Sequence, residues 1–256
     1  MKIPELVTPD DCYNRLLQDL SDPTKRIIPS GFKLLDRKLG GGFKRGMLYT
    51  LCSRPGIGKT SFAIKLAEGI KEDILFVGIG MPYSEFNVKH RPGKRFTIYC
   101  KPVNHLSVDD IQSVANGVTE YADHELGAIF IDYLQLIRSV GNFCADYTSG
   151  IVADLKRMAV ELNVPVICLC QLPPSVENRN GKRPVISDVP YGVEIYSNYV
   201  LLMHREDFCS DAMEEPSKVE LSIMDKETGS LGEVIFNASF GELKSEAIFR
   251  EVEAHD

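Results

Sequence analysis

The clearest chemistry in this chain belongs to one consecutive run: Ser53, Arg54, Pro55, Gly56, Ile57, Gly58, Lys59 and Thr60, with Ser61 directly behind it. The run fits a phosphate-binding loop, in which glycines let the backbone curl until its N–H groups converge on phosphate oxygens. Lys59 brings a cation to the β- and γ-phosphates, and Thr60 offers a hydroxyl to Mg²⁺. The flanks support this, because an apolar run at 46–52 precedes the loop and a helical pattern opens at Lys59. One departure is visible at the first position, where the general pattern has glycine and this chain has Ser53.

A second acidic element lies downstream. Ala128, Ile129, Phe130 and Ile131 form an apolar run that delivers Asp132 at its C-terminal end. Phosphoryl transfer needs an anion there to hold Mg²⁺ through its water shell. Lys59 and Asp132 are therefore the expected catalytic pair, Thr60 and Asp132 the expected metal site, and ATP with Mg²⁺ the expected ligand.

The elements that must position these groups follow from the periodicity. Thr8, Pro9, Asp10 and Asp11 have the form of a helix start. That helix is expected over 8–20, with Tyr13, Leu16, Leu17 and Leu20 on one stripe, and is cut off at Asp22 and Pro23. Residues 1–26 are expected as an N-terminal linker-type helix and 27–256 as the nucleotide-binding domain. A short helix is predicted over 33–38, and a longer one from Lys59 to Gly69. Continuous apolar runs at 74–79, 128–131 and 164–170 suggest strands buried on both faces. Further strands are expected at 96–100, 199–203, 219–224 and 232–239, with helices over 107–123 and 151–162. Alternating strands and helices imply an α/β fold with a mostly parallel twisted sheet flanked by helices, and the turn at Thr228-Gly229 adds an antiparallel C-terminal hairpin.

Composition bounds the rest. The 256 residues are 44% hydrophobic and 25% charged, as in an ordinary globular domain. No apolar run approaches the roughly 20 residues of a membrane span, and the N-terminus lacks the plan of a signal peptide. Seven cysteines without a CxxC pair indicate neither a disulfide framework nor a zinc site; Cys168 and Cys170 are expected as small core residues on one strand face. A cytoplasmic protein is expected. The net charge of −7 argues against a surface that binds nucleic acid all over, although a local basic channel is compatible with it. Arg179, Lys182 and Arg183 form one short basic stretch and residues 89–95 another; either could contact single-stranded DNA, or simply be solvated surface.

Ile131-Asp132-Tyr133-Leu134-Gln135-Leu136-Ile137 resembles the magnesium-aspartate motif of the DnaB-type hexameric replicative helicases. The resemblance continues through Asp154-Leu155-Lys156, Glu161 to Ile167, Gln171-Leu172, Ser175-Val176-Glu177 and Lys182-Arg183-Pro184, and covers the chain from about residue 8 to 248. It implies a RecA-like motor domain without the family's separate N-terminal domain. It also implies a γ-phosphate-sensing place for Gln171, and assembly either with its own copies or with a related helicase subunit.

Three departures from that family bear on activity. Its catalytic glutamate falls at Gly80 here, with Glu85 the nearest substitute. Its trans-acting lysine and arginine finger fall at Asp225 and Glu227, flanking Lys226. Its DNA-gripping Arg-Glu pair falls at Pro190 and Tyr191. An arginine finger is typically worth about 10³ to 10⁵ in rate, so the expectation is a domain that binds ATP but hydrolyses it weakly. It would serve either as a reduced helicase motor or as a degenerate partner, loader or regulator of one.

Overall fold

The computed structural model describes residues 26–83, 96–101, 106–122, 125–138, 147–206, 216–240 and 247–252. The expected helix over 8–20, the basic stretch 89–95 and Glu85 lie outside these. In chain order the elements are β1 (Ile27–Ile28), α1 (Lys33–Leu39), β2 (Phe43–Lys44), β3 (Leu48–Ser53), α2 (Lys59–Gly69), β4 (Asp73–Ile79) and β5 (Phe96–Lys101). Then come α3 (Val108–Ala122), β6 (Leu126–Asp132), α4 (Tyr147–Leu162), β7 (Val166–Gln171), α5 (Val193–Tyr196), β8 (Tyr199–Arg205), β9 (Ser217–Asp225), β10 (Gly229–Ser239) and β11 (Ile248–Val252).

Nine strands form one sheet in the order β11-β10-β9-β8-β3-β7-β6-β4-β5. Strands β8, β3, β7, β6, β4 and β5 run parallel, and β9, β10 and β11 add antiparallel pairs beyond β8. Strands β4, β6 and β7 are nearly continuous apolar runs because both of their faces are covered, whereas the edge strand β5 is only partly buried. Tyr49, Leu51, Phe76, Phe130 and Leu201 pack on one face with Phe62 and Leu66 of α2 and Phe236 of β10. Leu48, Cys52, Leu75, Ile129 and Ile131 pack on the other with Leu155 and Met158 of α4 and Ile111 of α3. Cys168 and Cys170 both face this second layer and are buried, the core role expected of them. Among the described residues no helix is long and apolar enough to cross a membrane.

The register of β3 sets the geography of the molecule. Tyr49 lies beside Tyr199 and Ser53 beside Met203 on the one side, and Ser53 beside Gln171 on the other. The phosphate loop therefore emerges in the middle of the sheet at the carboxyl ends of its parallel strands, where open α/β sheets bind ligands. The turn between β9 and β10 lies at the opposite edge, since Asp225 pairs with Tyr199 at the start of β8. It is held there by Lys226 N–H donating to Asn198 O at 2.9 Å.

Several elements have no strong sequence signal. The strand expected from residue 46 begins only at Leu48, because Gly46 has φ of 73° and turns the chain. Strand β11 lies beyond the expected strands, since its alternation is short and it carries Arg250 and Glu251. Glu251 caps a distant helix, its Oε1 accepting the N–H groups of Leu34 at 2.8 Å and Leu35 at 2.9 Å. Those are two of the first-turn donors of α1, which its own N-cap residue Phe32 cannot satisfy with a side chain. Glu251→Ala should lower unfolding stability by about 1 kcal/mol, the usual scale for losing a cap, as measured by urea denaturation. Glu251→Gln, which keeps an acceptor, should lose less.

Candidate nucleotide-binding site

The phosphate loop is shaped by its glycines. Gly56 and Gly58 adopt φ of 79° and 101°, a region other residues rarely enter. Gly58 is constrained a second way, because a Cβ there would lie 2.4 Å from Cε1 of Phe240. The ring of Phe240 thus rests directly on the loop, and it carries the guanidinium of Arg205 over its own face at 4.5 Å. Helix α2 opens at Lys59 behind the glycine, with Phe62 N–H donating to Gly58 O at 2.9 Å, so its free N-terminal N–H groups face the loop.

The remaining side chains of the loop divide between the site and the scaffold. Ile57 is fully buried in the core and Ser61 is nearly so. Ser53 turns its hydroxyl onto the carbonyl of Arg54 at 2.9 Å. The Arg54 side chain leaves the loop entirely, and its Nη1 donates to Glu177 Oε1 at 2.8 Å and Oε2 at 2.7 Å. The side chains of Ser53 and Arg54 are thus both engaged within the fold, so at a bound ligand these residues would offer backbone.

Lys59, Thr60 and Asp132 are brought together in the fold. The Thr60 hydroxyl donates to Asp132 Oδ2 at 2.6 Å, bringing α2 and the end of β6 together. Burial pushes the Lys59 ammonium below its ordinary pKa, and the Asp132 carboxylate pulls it partly back. A polyphosphate at the loop would favour the charged ammonium in the same sense. A hydroxyl and a carboxylate are hard oxygen donors suited to Mg²⁺ and its water shell, so the residues present fit that ion, which Thr60 and Asp132 would hold.

Several neighbours make contacts that the sequence does not announce. The ammonium of Lys59 lies 5.8 Å from the ring centroid of Tyr133. Gln135 braces the end of β7, with Nε2 donating to Gln171 O at 2.7 Å and Oε1 accepting Gln171 N–H at 3.2 Å. Gln171 thus stands beside Ser53 with its backbone fixed and its side chain partly exposed. Phe240 follows a strand end and has no periodic partner that would mark it. Gly80, at the place of the resembled family's catalytic glutamate, has φ of 74° and donates its N–H to Lys101 O at 2.7 Å.

Of the basic residues considered for DNA, Arg179, Lys182 and Arg183 are engaged within the chain; those at 89–95 lie outside the described residues. Arg179 makes a two-pronged pair with Asp188 at 2.7 and 2.8 Å. Lys182 reaches Glu177 at 3.3 Å, and Arg183 pairs with Glu220 and, at 3.4 Å, with Glu233. Sequence spacing shows the cations but not these partners, two of which lie on β9 and β10.

A phosphate loop leaving the central strand of a mostly parallel sheet, with an acid at the end of a nearby strand, defines the RecA-like class of nucleotide-binding domains. The family profile described as the DnaB-like helicase C terminal domain matches residues 27–91 and 86–244, and the chain belongs to that family. It is 30% identical over 245 residues to the replicative DNA helicase DnaB of Geobacillus stearothermophilus, covering 81% of this chain and 53% of that protein. It is 29% identical over 245 residues to the replicative DNA helicase DnaC of Bacillus subtilis, covering 81% and 53%. The chain thus spans about half the length of these curated relatives. Among solved structures, the ATPase domain of G40P superposes with a TM-score of 0.79 at 25% identity, covering 97% of this chain and all of that one. A DnaB-like replicative helicase, solved in a study of its interactions with primase, shares the fold with a TM-score of 0.74 at 24% identity, covering 94% and 68%.

The glycine geometry yields a direct test. Gly58→Ala places a methyl both at a φ of 101° and against Phe240, so it should destabilise the protein by about 1–3 kcal/mol and weaken nucleotide binding. Adding Phe240→Ala should relieve the contact but not the backbone strain, which thermal melts of the single and double variants would separate.

Proposed function

We propose that this domain binds ATP–Mg²⁺ at the phosphate loop and serves as a DnaB-like motor-type domain in DNA replication, with hydrolysis slower than such a motor requires. The observation that carries the nucleotide reading is the contact of Thr60 with Asp132 beside the buried Lys59. The loop backbone and Lys59 would take the phosphates, Thr60 and Asp132 the metal, and Gln171 the γ-phosphate. Bound Mg²⁺ would neutralise charge on the phosphates. Single-stranded DNA, contacted by Arg179, Lys182 and Arg183, is the proposed polymer ligand, and copies of the chain or a related helicase subunit are the proposed neighbours.

Slow hydrolysis rests on what stands at the places where the resembled family activates water and stabilises the transition state. Gly80 offers no carboxylate, and its left-handed backbone is one a glutamate would enter only with strain. Asp225 is a structural acceptor: its Oδ1 takes the N–H groups of Glu227 at 2.7 Å and Thr228 at 3.0 Å, closing the hairpin turn. Burial raises its pKa, but those bonds, with further ones from the Tyr199 and Thr228 side chains, more than offset this and hold the carboxyl below its ordinary value. A charged Asp225 and Glu227 at the edge remote from the chain's own loop would repel a neighbour's phosphates. This observation also favours a second reading, a degenerate nucleotide-binding partner, loader or regulator of a helicase that supplies the basic groups itself.

Lys59→Ala should abolish most Mg²⁺–ATP affinity while leaving circular dichroism unchanged; equal affinity of variant and wild type would refute the nucleotide site. The wild type should turn over far below about 10 per second even with single-stranded DNA, since losing a factor of about 10³ raises the barrier by roughly 4 kcal/mol.

The hairpin has its own test. Asp225→Lys combined with Glu227→Arg should raise ATPase activity in a manner that depends steeply on protein concentration, as a group acting on a neighbouring subunit requires. Activity unchanged at every concentration would count against an intersubunit role for the hairpin. Because Asp225 closes the turn, Glu227→Arg alone serves as the milder variant.

A further inference from the structure

Glu177 serves two cations with one carboxylate, and the two are not equivalent. Arg54, the second residue of the phosphate loop, places Nη1 within 2.8 Å of both carboxylate oxygens from a side chain only 3% exposed. Lys182 shares Oε2 at 3.3 Å from a side chain 37% exposed. The aim of Lys182 is set by its backbone, since Gly181 and Lys182 both have positive φ, 73° and 49°. A lysine there is uncommon. The turn is closed by Lys182 N–H donating to Arg179 O at 3.1 Å, and Arg179 is itself fixed by Asp188.

The same stretch is tied to the loop a second time, because Leu172 N–H donates to Ser53 O at 2.9 Å. The first residues of the phosphate loop are thus anchored to the segment that ends in the exposed cations 179–183.

We propose that Glu177 is a positioning residue for the phosphate loop, and that Lys182 couples nucleotide affinity to the phosphates of single-stranded nucleic acid arriving at residues 179–183. The coupling rests on the nucleotide reading above. A buried guanidinium surrenders a carboxylate only at a large desolvation cost. An exposed ammonium is weakly held and exchanges partners readily. An arriving phosphate therefore takes Lys182 and leaves Arg54 in place. Oε2, no longer shared, is then wholly available to Nη1, and the loop is held more firmly in the shape that receives phosphate. Nucleotide affinity rises, and by linkage nucleotide strengthens nucleic-acid binding by the same factor.

The experiment is a fluorescence titration of the full chain with a fluorescent ATP analogue and Mg²⁺, with and without saturating oligo-dT. Oligonucleotide binding is followed separately by anisotropy. The oligonucleotide should lower the wild-type nucleotide Kd by about three- to fivefold, the low end for coupling through an exposed pair. Lys182→Ala should show that gain already without oligonucleotide, and gain nothing more when it is added. Glu177→Gln should weaken nucleotide binding and lose the response, with Glu177→Asp recovering part of both; if Glu177→Gln fails to fold, the Lys182→Ala result decides. A Lys182→Ala protein with wild-type nucleotide affinity, or with the wild-type oligonucleotide response, overturns the proposal. So does a wild type that binds the analogue but fails to bind the oligonucleotide, or binds it with no change in nucleotide affinity. A wild type that does not bind the analogue overturns the nucleotide reading itself, and the coupling with it.

Discussion

The parallel pairing of β3 on both of its sides is the constraint from which the rest of the site follows. A phosphate loop is mostly backbone, and backbone can be aimed only by what precedes and follows it. Here β3 is locked by β7 and β8 along nearly its whole length, and α2 is fixed behind the loop by Phe62, Ala63, Leu66 and Ala67 in the core. With both ends immobile, the glycines between them have little freedom left. The same pairing sets Gln171 beside Ser53. The next strand after β7, β6, delivers Asp132 to Thr60 without any loop having to be ordered for the purpose.

The two edges of the sheet differ in electrostatic character. At the loop edge a buried ammonium and a hydroxyl–carboxylate pair are arranged for an anion with a hard cation. At the hairpin edge, Asp225 is committed to the turn it closes, and Glu227 follows it. A nucleotide would be welcomed by the first edge and resisted by the second. Because the edges lie at opposite ends of β8, the chain cannot combine them on one nucleotide. Any effect of the hairpin on hydrolysis would therefore have to be exerted on the nucleotide of a neighbouring molecule.

Much of this arrangement is legible in the residues. Long buried strands identify themselves by unbroken apolar runs, and Gly56, Gly58, Lys59 and Thr60 between an apolar run and a helical pattern have the form of a phosphate loop. Asp132 is marked by its position at a strand end. What cannot be read are contacts made across large separations in sequence. Glu251 satisfies α1 from the far end of the chain, Phe240 closes over Gly58, and Gln135 braces Gln171. Each depends on which strand lies beside which, and no local periodicity encodes that order. Strand β11 escapes for a related reason: it is short, lies at the sheet edge and commits a charged residue to a distant helix.

The basic stretch illustrates how far composition can mislead about charge. Counting residues makes 179–183 a cationic segment, yet Asp188, Glu177, Glu220 and Glu233 answer its three cations within the fold. A phosphate that binds here does not meet free positive charge; it has to displace a carboxylate. Exposed pairs yield with little loss, so such a surface can still take a polyanion, at reduced affinity and with strong sensitivity to salt. The displaced carboxylates then have to go somewhere. Glu177 has a buried second cation waiting, and that cation belongs to the phosphate loop. In the proposed coupling, this surface would thereby have one route by which a change at its exterior reaches the phosphate loop.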